Sequence, residues 1–269
     1  MPDCQIGIIV PSFRDERIAH TILSIVMLDH NNLTRIYILD GGSPDGILKT
    51  IKAYLRPHDI LVSERDKGIF DALNKGLDMV AEPYFGWLGS DDFYTSSVNF
   101  AEIVERFTSE RLDCMIFGTA FIDDFKVRRS TAACAPTIGN YTIGRLIPHF
   151  SSFWRTATVG SLRFSLDHPI AADMDFFVRL VKSRQLRSCC KTQIGTIMRL
   201  GGASTGGAKR ILMANWDTFR IFTRYMGHGV AAFAVGMKLF NKTLSLLFFF
   251  RQPVPLTKEL TSAIIRTVT

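Results

Sequence analysis

The first half of the chain alternates between two hydrophobic rhythms. "QIGIIV" (Gln5 to Val10), "RIYILD" (Arg35 to Asp40), "DILVSE" (Asp59 to Glu64) and "YFGWL" (Tyr84 to Leu88) are short apolar runs, rich in β-branched and aromatic residues. Such runs predict buried parallel strands. Between them, Glu16 to Leu28 places Ile18, Ile22, Ile25 and Val26 at helical spacing. A helix from Asp45 to about Tyr54 follows "GGSPDG", with Ser43 as its N-cap and Pro44 at its first position, and Gly68 to Val80 predicts a third helix. The βαβαβαβ order implies an α/β fold, a mostly parallel sheet with helices on both faces.

Beyond Asp92 the rhythm is mixed. Val98 to Phe107 reads as a helix and Cys114 to Ile122 as extended, with "DDFK" turning a hairpin into Val127 to Ser130. Thr131 to Pro148 is expected to be loop-rich, and Asp173 to Ser183 carries a helical stripe in Phe176, Phe177 and Leu180. There is no internal repeat. At 269 residues, 47% hydrophobic and 11% aromatic, the chain can bury a large core, which fits one catalytic-sized domain with an appendage.

Five scattered cysteines, with no CxxC pair and no Cys/His cluster, point to reduced thiols rather than a disulfide framework or zinc. "MPDCQIGIIVPSF" lacks a basic leader region and its apolar run is short, so it reads as a first strand and the protein is expected in the cytoplasm. The net charge of +7 is localised. Ala203 to Thr269 holds nine Lys and Arg against Asp217 and Glu259, while the rest is neutral. A neutral body therefore carries a basic tail.

Parallel α/β sheets bind ligands beyond the carboxyl ends of their strands. Asp40, Glu64 and the pair Asp91-Asp92 of "GWLGSDDFY" all fall at such ends. Adjacent carboxylates repel unless a cation compensates them, and a hard ion such as Mg²⁺ or Mn²⁺ suits them, taking its other ligands from water and phosphate oxygens. The structural alternative is that Asp91 caps the following turn and Asp92 is solvated. In "GIFDALNKGL", Asp71, Asn74 and Lys75 share one helix face while Ile69, Leu73 and Leu77 cover the other. A surface salt bridge from Asp71 to Lys75 would account for that face without any ligand.

The ordered set "VPSFRDE", "ILDGGSPDG", "SERDKGIFDALNKGL" and "GWLGSDDFY" resembles the nucleotide-sugar-binding half of family 2 glycosyltransferases, and most of all bacterial polysaccharide-biosynthesis enzymes. The likeness runs from about Gln5 to Thr205. It implies a GT-A fold over residues 1–205, with a donor-binding half to about 95 and an acceptor half from 96, and a helical basic tail from 206 to 269. It further implies inverting transfer of a sugar from a nucleoside diphosphate, UDP favoured, to a glycan or lipid-linked hydroxyl.

By the same resemblance, Pro11, Ser12 and Phe13 meet the nucleobase, and Asp40 is the first acid of the family's "DDGS" motif, its second acid being replaced by Gly41. Lys67, Asp71 and Asn74 contact the donor. Asp91 lies nearer the ribose or donor sugar and Asp92 holds the metal, Mg²⁺ or Mn²⁺. An inverting transfer also needs a carboxylate to take the acceptor's proton. "PIAADMDFFVRL" resembles the family's "EDxxLxxR" stretch, with Ala172 where Glu is usual and Asp173 at the base position, Asp175 ranking second. An N-cap role for Asp173 is the competing reading. His149 and Trp154 are expected on the acceptor face, and Arg199 with the glycines of "RLGGAST" is expected to close over the diphosphate.

"GVAAFAVGMKLFNKTLSLLFFF", Gly229 to Phe250, is long enough to span a bilayer, but Lys238, Asn241 and Lys242 lie near its middle. An interfacial helix on an anionic membrane fits better, the alternative being a helix packed on the domain or in a dimer. Two other enzyme classes fit less well. A nucleotidyltransferase would carry an early Gly-rich loop, absent from "IVPSFRDE", and a Rossmann dehydrogenase would carry GxGxxG. A nucleic-acid-binding module would need a broad basic face that the neutral body lacks.

Overall fold

The computed structural model describes residues 3–123, 126–168, 170–200 and 208–249. Strands β1 (Ile6–Ser12), β2 (Thr34–Asp40), β3 (Ile60–Ser63) and β4 (Tyr84–Trp87) alternate with helices α1 (Ile18–Leu28), α2 (Asp45–Tyr54) and α3 (Ile69–Met79). They pair in the order β3-β2-β1-β4, all parallel. The pleat of β1 divides two cores. Ile6, Ile8 and Val10 face the layer holding α1, α2 and Phe107, whereas Ile9 joins Leu73, Leu77 and Phe176 on the other side. Strands covered on both faces read as continuous apolar runs, which is why these four are visible in the sequence.

After β4 come β5 (Phe93–Tyr94), α4 (Phe100–Ser109), β6 (Cys114–Asp123), β7 (Lys126–Thr131) and α5 (Ile138–Thr142). A 3₁₀ turn, His149–Ser151, leads into β8 (Ser152–Arg155), then α6 (Thr156–Val159), α7 (Ala172–Ser183) and β9 (Ser188–Arg199). The sheet continues from β4 through β8, β6 and β9 to β5, with β7 hairpinned onto β6. Here β8 is antiparallel to both neighbours and β6 parallel to β9. The segment 131–148, expected as loop, contains the single short helix α5, capped by the Thr137 side chain.

Two helices follow, α8 (Ala208–Met226) and α9 (His228–Phe249). Ile221, Phe222, Ala231 and Ala234 are buried in the same core as Phe176 and Phe177. No helix among the described residues is long and apolar enough to cross a membrane. An interfacial helix would set Lys238 among lipid headgroups, and here the structure differs. Its ammonium donates to Thr218 Oγ1 at 2.9 Å and to the Ala214 carbonyl at 3.4 Å, and the Asn241 amide donates to the Ile143 carbonyl at 2.7 Å. Polar groups midway along an apolar helix turn inward here because α8 and α5 offer them partners.

Candidate active site

The carboxyl ends of β1, β2, β3 and β4 form one edge. At β1, Ser12 is buried with its hydroxyl unpartnered among the described residues, and Phe13 holds its ring 57% exposed. A Cβ on Gly41 would lie 2.8 Å from Asp66 Oδ2 and 3.2 Å from the Phe13 ring. Glycine at 41 therefore lets the Asp66 carboxylate lie beside that ring. Pro11, extended and buried, sets the path of the strand end.

Asp40 is buried and already committed within the chain. Its carboxylate accepts the N–H groups of Gly42 and Ser43 at 3.0 and 2.8 Å and the hydroxyls of Ser43 and Ser63. Ser43 thus binds Asp40 rather than capping α2, whose N-cap is Pro44. Asp71 accepts the Lys67 N–H at 3.0 Å and lies 4.0 Å from Lys75, which reaches Glu64 at 2.7 Å. The competing reading of this helix face, a salt bridge from Asp71 to Lys75, is therefore met at 4.0 Å, and the Lys67 side chain is exposed. Asn74 donates to the Phe164 carbonyl and accepts the Phe164 N–H, at 2.9 and 2.7 Å. That amide is a latch to the second half of the domain, and both its polar groups are used there.

The turn after β4 carries the paired acids. Asp92 is 3% exposed and its Oδ1 accepts the Arg199 N–H at 3.1 Å. A Cβ on Gly89 would lie 2.5 Å from Asp92 Oδ2, so only glycine lets the turn fold over its own carboxylate. Burial first, and then the Asp91 charge, hold the Asp92 carboxyl well above the usual carboxylate range. Asp91 is raised by burial and by Asp15, against the lowering effect of Arg17, whose guanidinium is 3.3 Å away.

Three supports of this turn escaped the sequence reading. Asp15 accepts the Ser90 hydroxyl at 2.9 Å and also holds Arg17, while Thr21 of α1 places its hydroxyl 2.7 Å from the carbonyls of Ser90 and Asp92. The charge-dense "SFRDER" was the available signal for the first two, and Thr21 gave none.

Among the described residues no group of three or more His, Cys, Asp or Glu is poised to hold a metal. An ion at Asp91 and Asp92 would draw most of its ligands from water and phosphate. Two neighbouring carboxyls, both raised in pKa by burial, Asp92 further by the Asp91 charge and Asp91 by that of Asp15, fit that role.

On the other side of the sheet ends, the 3₁₀ turn of His149 packs on β4, β6 and β9. His149 Nδ1 lies 3.7 Å from Asp173 Oδ2, so the structure brings these two expected residues together. Burial holds the His149 imidazole below its ordinary pKa, and Asp173 partly offsets this. Asp173 lies in the first turn of α7 but does not cap it, the N-cap being Ala171. Asp175 is buried and accepts the Arg179 Nε–H at 2.8 Å and the Tyr225 hydroxyl at 3.1 Å, a structural role.

Trp154 is corrected. It is fully buried, donates from Nε1 to Ser152 Oγ at 2.8 Å and packs on Phe177, because β8 lies between β4 and β6 with both faces covered. It cannot offer a surface to an acceptor. Arg199 ends β9 with its guanidinium over the Phe93 ring at 5.9 Å, and the glycines expected to follow it lie outside the described residues.

A model of the family described as glycosyl transferase family 2 matches residues 7–167. The chain belongs to that family and is a glycosyltransferase with a GT-A fold. A PGL/p-HBAD biosynthesis glycosyltransferase of Mycobacterium bovis is 22% identical over 177 residues, covering 64% of this chain and 68% of the relative. An uncharacterized glycosyltransferase of Mycobacterium tuberculosis, Rv1514c, is 23% identical over 177 residues, covering 65% of this chain and 68% of the relative.

Among solved structures, S. aureus TarS 1-349 in complex with UDP-GlcNAc superposes with a TM-score of 0.65 at 13% identity, over 98% of this chain and 80% of that one. The mannosyltransferase PcManGT of Pyrobaculum calidifontis, in complex with GDP-Man and Mn²⁺, gives 0.59 at 11% identity, over 98% and 85%. Against a longer TarS chain, this protein spans about half (49%) of the length. These likenesses concern the fold.

Proposed function

We propose that the protein is a metal-dependent, inverting transferase. It moves a sugar from a nucleoside diphosphate, UDP favoured, to a hydroxyl of a glycan or lipid-linked acceptor in polysaccharide biosynthesis. Residues 1–95 bind the donor, 96–205 face the acceptor, and 206–269 form a basic tail that holds the enzyme to the cytoplasmic side of an anionic membrane. The observation that carries the catalytic reading is the edge itself. Exposed Phe13 and the buried Asp92 lie at the ends of adjacent strands, and the 3₁₀ turn of His149, whose ring is 3.7 Å from Asp173, packs on the strand that delivers Asp92. The solved structures that share the fold hold UDP-GlcNAc or GDP-Man with Mn²⁺ in their own sites.

In this reading the nucleobase stacks on Phe13, and the unpartnered Ser12 hydroxyl is available to it. Asp66, beside that ring, supplies the carboxylate that Gly41 lacks. Asp92, with Asp91, would hold Mg²⁺ or Mn²⁺, which supplies Lewis-acid compensation for charge on the departing diphosphate. Asp173 takes the proton of the attacking hydroxyl, with a neutral His149 keeping its carboxylate oriented.

The test is a panel of UDP- and GDP-sugars with Mn²⁺, read for transfer and donor hydrolysis, with the product's anomeric configuration assigned by NMR. Inversion supports the proposal. Retention, or no turnover of any donor, overturns it.

A further inference from the structure

We infer that the outward face of α8 is a docking surface for an anionic lipid bilayer, with a headgroup pocket built into it. The buried side of α8 is formed by Asp217, Thr218, Ile221 and Phe222. On the opposite side Leu212, Met213 and Trp216 are 69%, 45% and 62% exposed, and Arg220 and Arg224 follow at helical spacing, both exposed. An exposed stripe of Leu, Met and Trp is unusual on a soluble surface, and arginines continuing it match an interface where apolar groups enter the acyl boundary and cations meet phosphates. On α9, Phe233 and Phe240, seven residues apart, are also more than half exposed.

The second observation is a cavity of about 300 Å³ that shares no residue with the strand-end site. Trp216, Phe219, Arg220, Thr223 and Arg224 line it from α8. His168, only 3% exposed, also lines it, and its buried Nδ1 has no hydrogen-bond partner among the described residues, with Asp217 at 3.6 Å. Trp216 stacks on Phe219 at 5.9 Å to form its apolar wall. Two guanidiniums, Arg220 pairing with Asp217 at 4.0 Å, an aromatic wall and the buried His168 imidazole fit one phosphate headgroup whose chains leave along Trp216, Met213 and Leu212. Charge complementarity selects the lipid. Arg220 and Arg224 are both exposed, and the acid beside them, Asp217, is buried 3.6 Å from His168 and 4.0 Å from Arg220, so it offsets one of these cations in part and leaves the outward face cationic. The purpose of docking, bringing the enzyme to a lipid-linked acceptor, rests on the proposed transferase reading, but the binding itself needs neither donor nor metal.

The intrinsic fluorescence of the full-length protein tests this directly, because Trp87 and Trp154 are fully buried and Trp216 alone among the three is exposed. Vesicles of phosphatidylglycerol and phosphatidylcholine should shift its emission to the blue and co-sediment the protein, whereas phosphatidylcholine alone should do neither. Replacing both Arg220→Gln and Arg224→Gln should weaken anionic-vesicle binding on the order of ten-fold or more, while Lys52→Gln on the remote helix α2 leaves it unchanged. Equal binding to neutral vesicles, or no loss in the double variant, would overturn the inference. So would the same response to soluble glycerol phosphate, which makes the pocket a free-anion site. A concentration-dependent blue shift without vesicles would assign the stripe to a second copy of the chain. Docking that succeeds in a protein without transferase activity leaves this inference standing and the catalytic one refuted.

Discussion

Arg199, the last residue of β9, gives its backbone N–H to Asp92 Oδ1 at 3.1 Å. The far strand of the sheet thereby holds the acidic turn that follows β4, and Thr21 holds the same turn from the helix side. Backbone and hydroxyl contacts fix the turn, while the exposed Arg17 pairs with Asp91 at 3.3 Å.

Thr21→Val removes the hydroxyl that meets the Ser90 and Asp92 carbonyls. Leaving buried acceptors unpaired costs about 1–3 kcal/mol. Urea denaturation should show that loss, and Mn²⁺-supported UDP binding should weaken as the turn loosens.

Asp92→Asn should keep the Arg199 contact and change how stability depends on pH. The Asp92 carboxyl holds its proton more tightly folded than unfolded, so in EDTA the wild type loses stability as pH rises from about 4 through the folded value. Melting curves from pH 4 to 8 should show that decline in the wild type, reduced in the variant. An identical slope in both would mean that Asp92 is not a strained buried acid.

Asp173 and Asp175, two residues apart on α7, should separate chemistry from folding. Asp173→Asn is expected to lower kcat by about 10²–10⁴-fold, the usual worth of a general base, with stability within about 1 kcal/mol of wild type. Asp175→Asn breaks the buried pair with Arg179 and should destabilise by roughly 3–5 kcal/mol. Paired turnover and urea measurements check both.

His149 is neutral when it orients Asp173, and its pKa lies below the ordinary value. kcat/KM should therefore fall on the acid side below about pH 6.5, as a protonated ring draws the carboxylate into an ion pair. Folded stability should decline over the same range, since the unfolded chain takes up the proton more readily. His149→Gln should move the acid limb of the rate profile to lower pH.

What the sequence revealed follows from locality. Ile8, Ile36 and Phe85 stand in runs buried on both faces, so four strands and their order of appearance can be read directly, and Asp40, Asp91 and Asp92 mark their ends. Partners distant in the chain left no such trace. Trp154 reads as a surface aromatic until β8 is seen between β4 and β6, and Lys238 reads as a headgroup ligand until Thr218 is found 2.9 Å away. Asp173 and His149 could be named separately by family resemblance, but their 3.7 Å approach depends on a 3₁₀ turn packing against α7.

The most direct check is calorimetric titration of UDP into wild type and Asp92→Asn, each with Mn²⁺ and with EDTA. The account expects tight UDP binding only for wild type with Mn²⁺, and weak, metal-independent binding for the variant. Equal UDP affinity in all four conditions would contradict it, because nothing at the end of β4 would then be gripping a cation for the diphosphate.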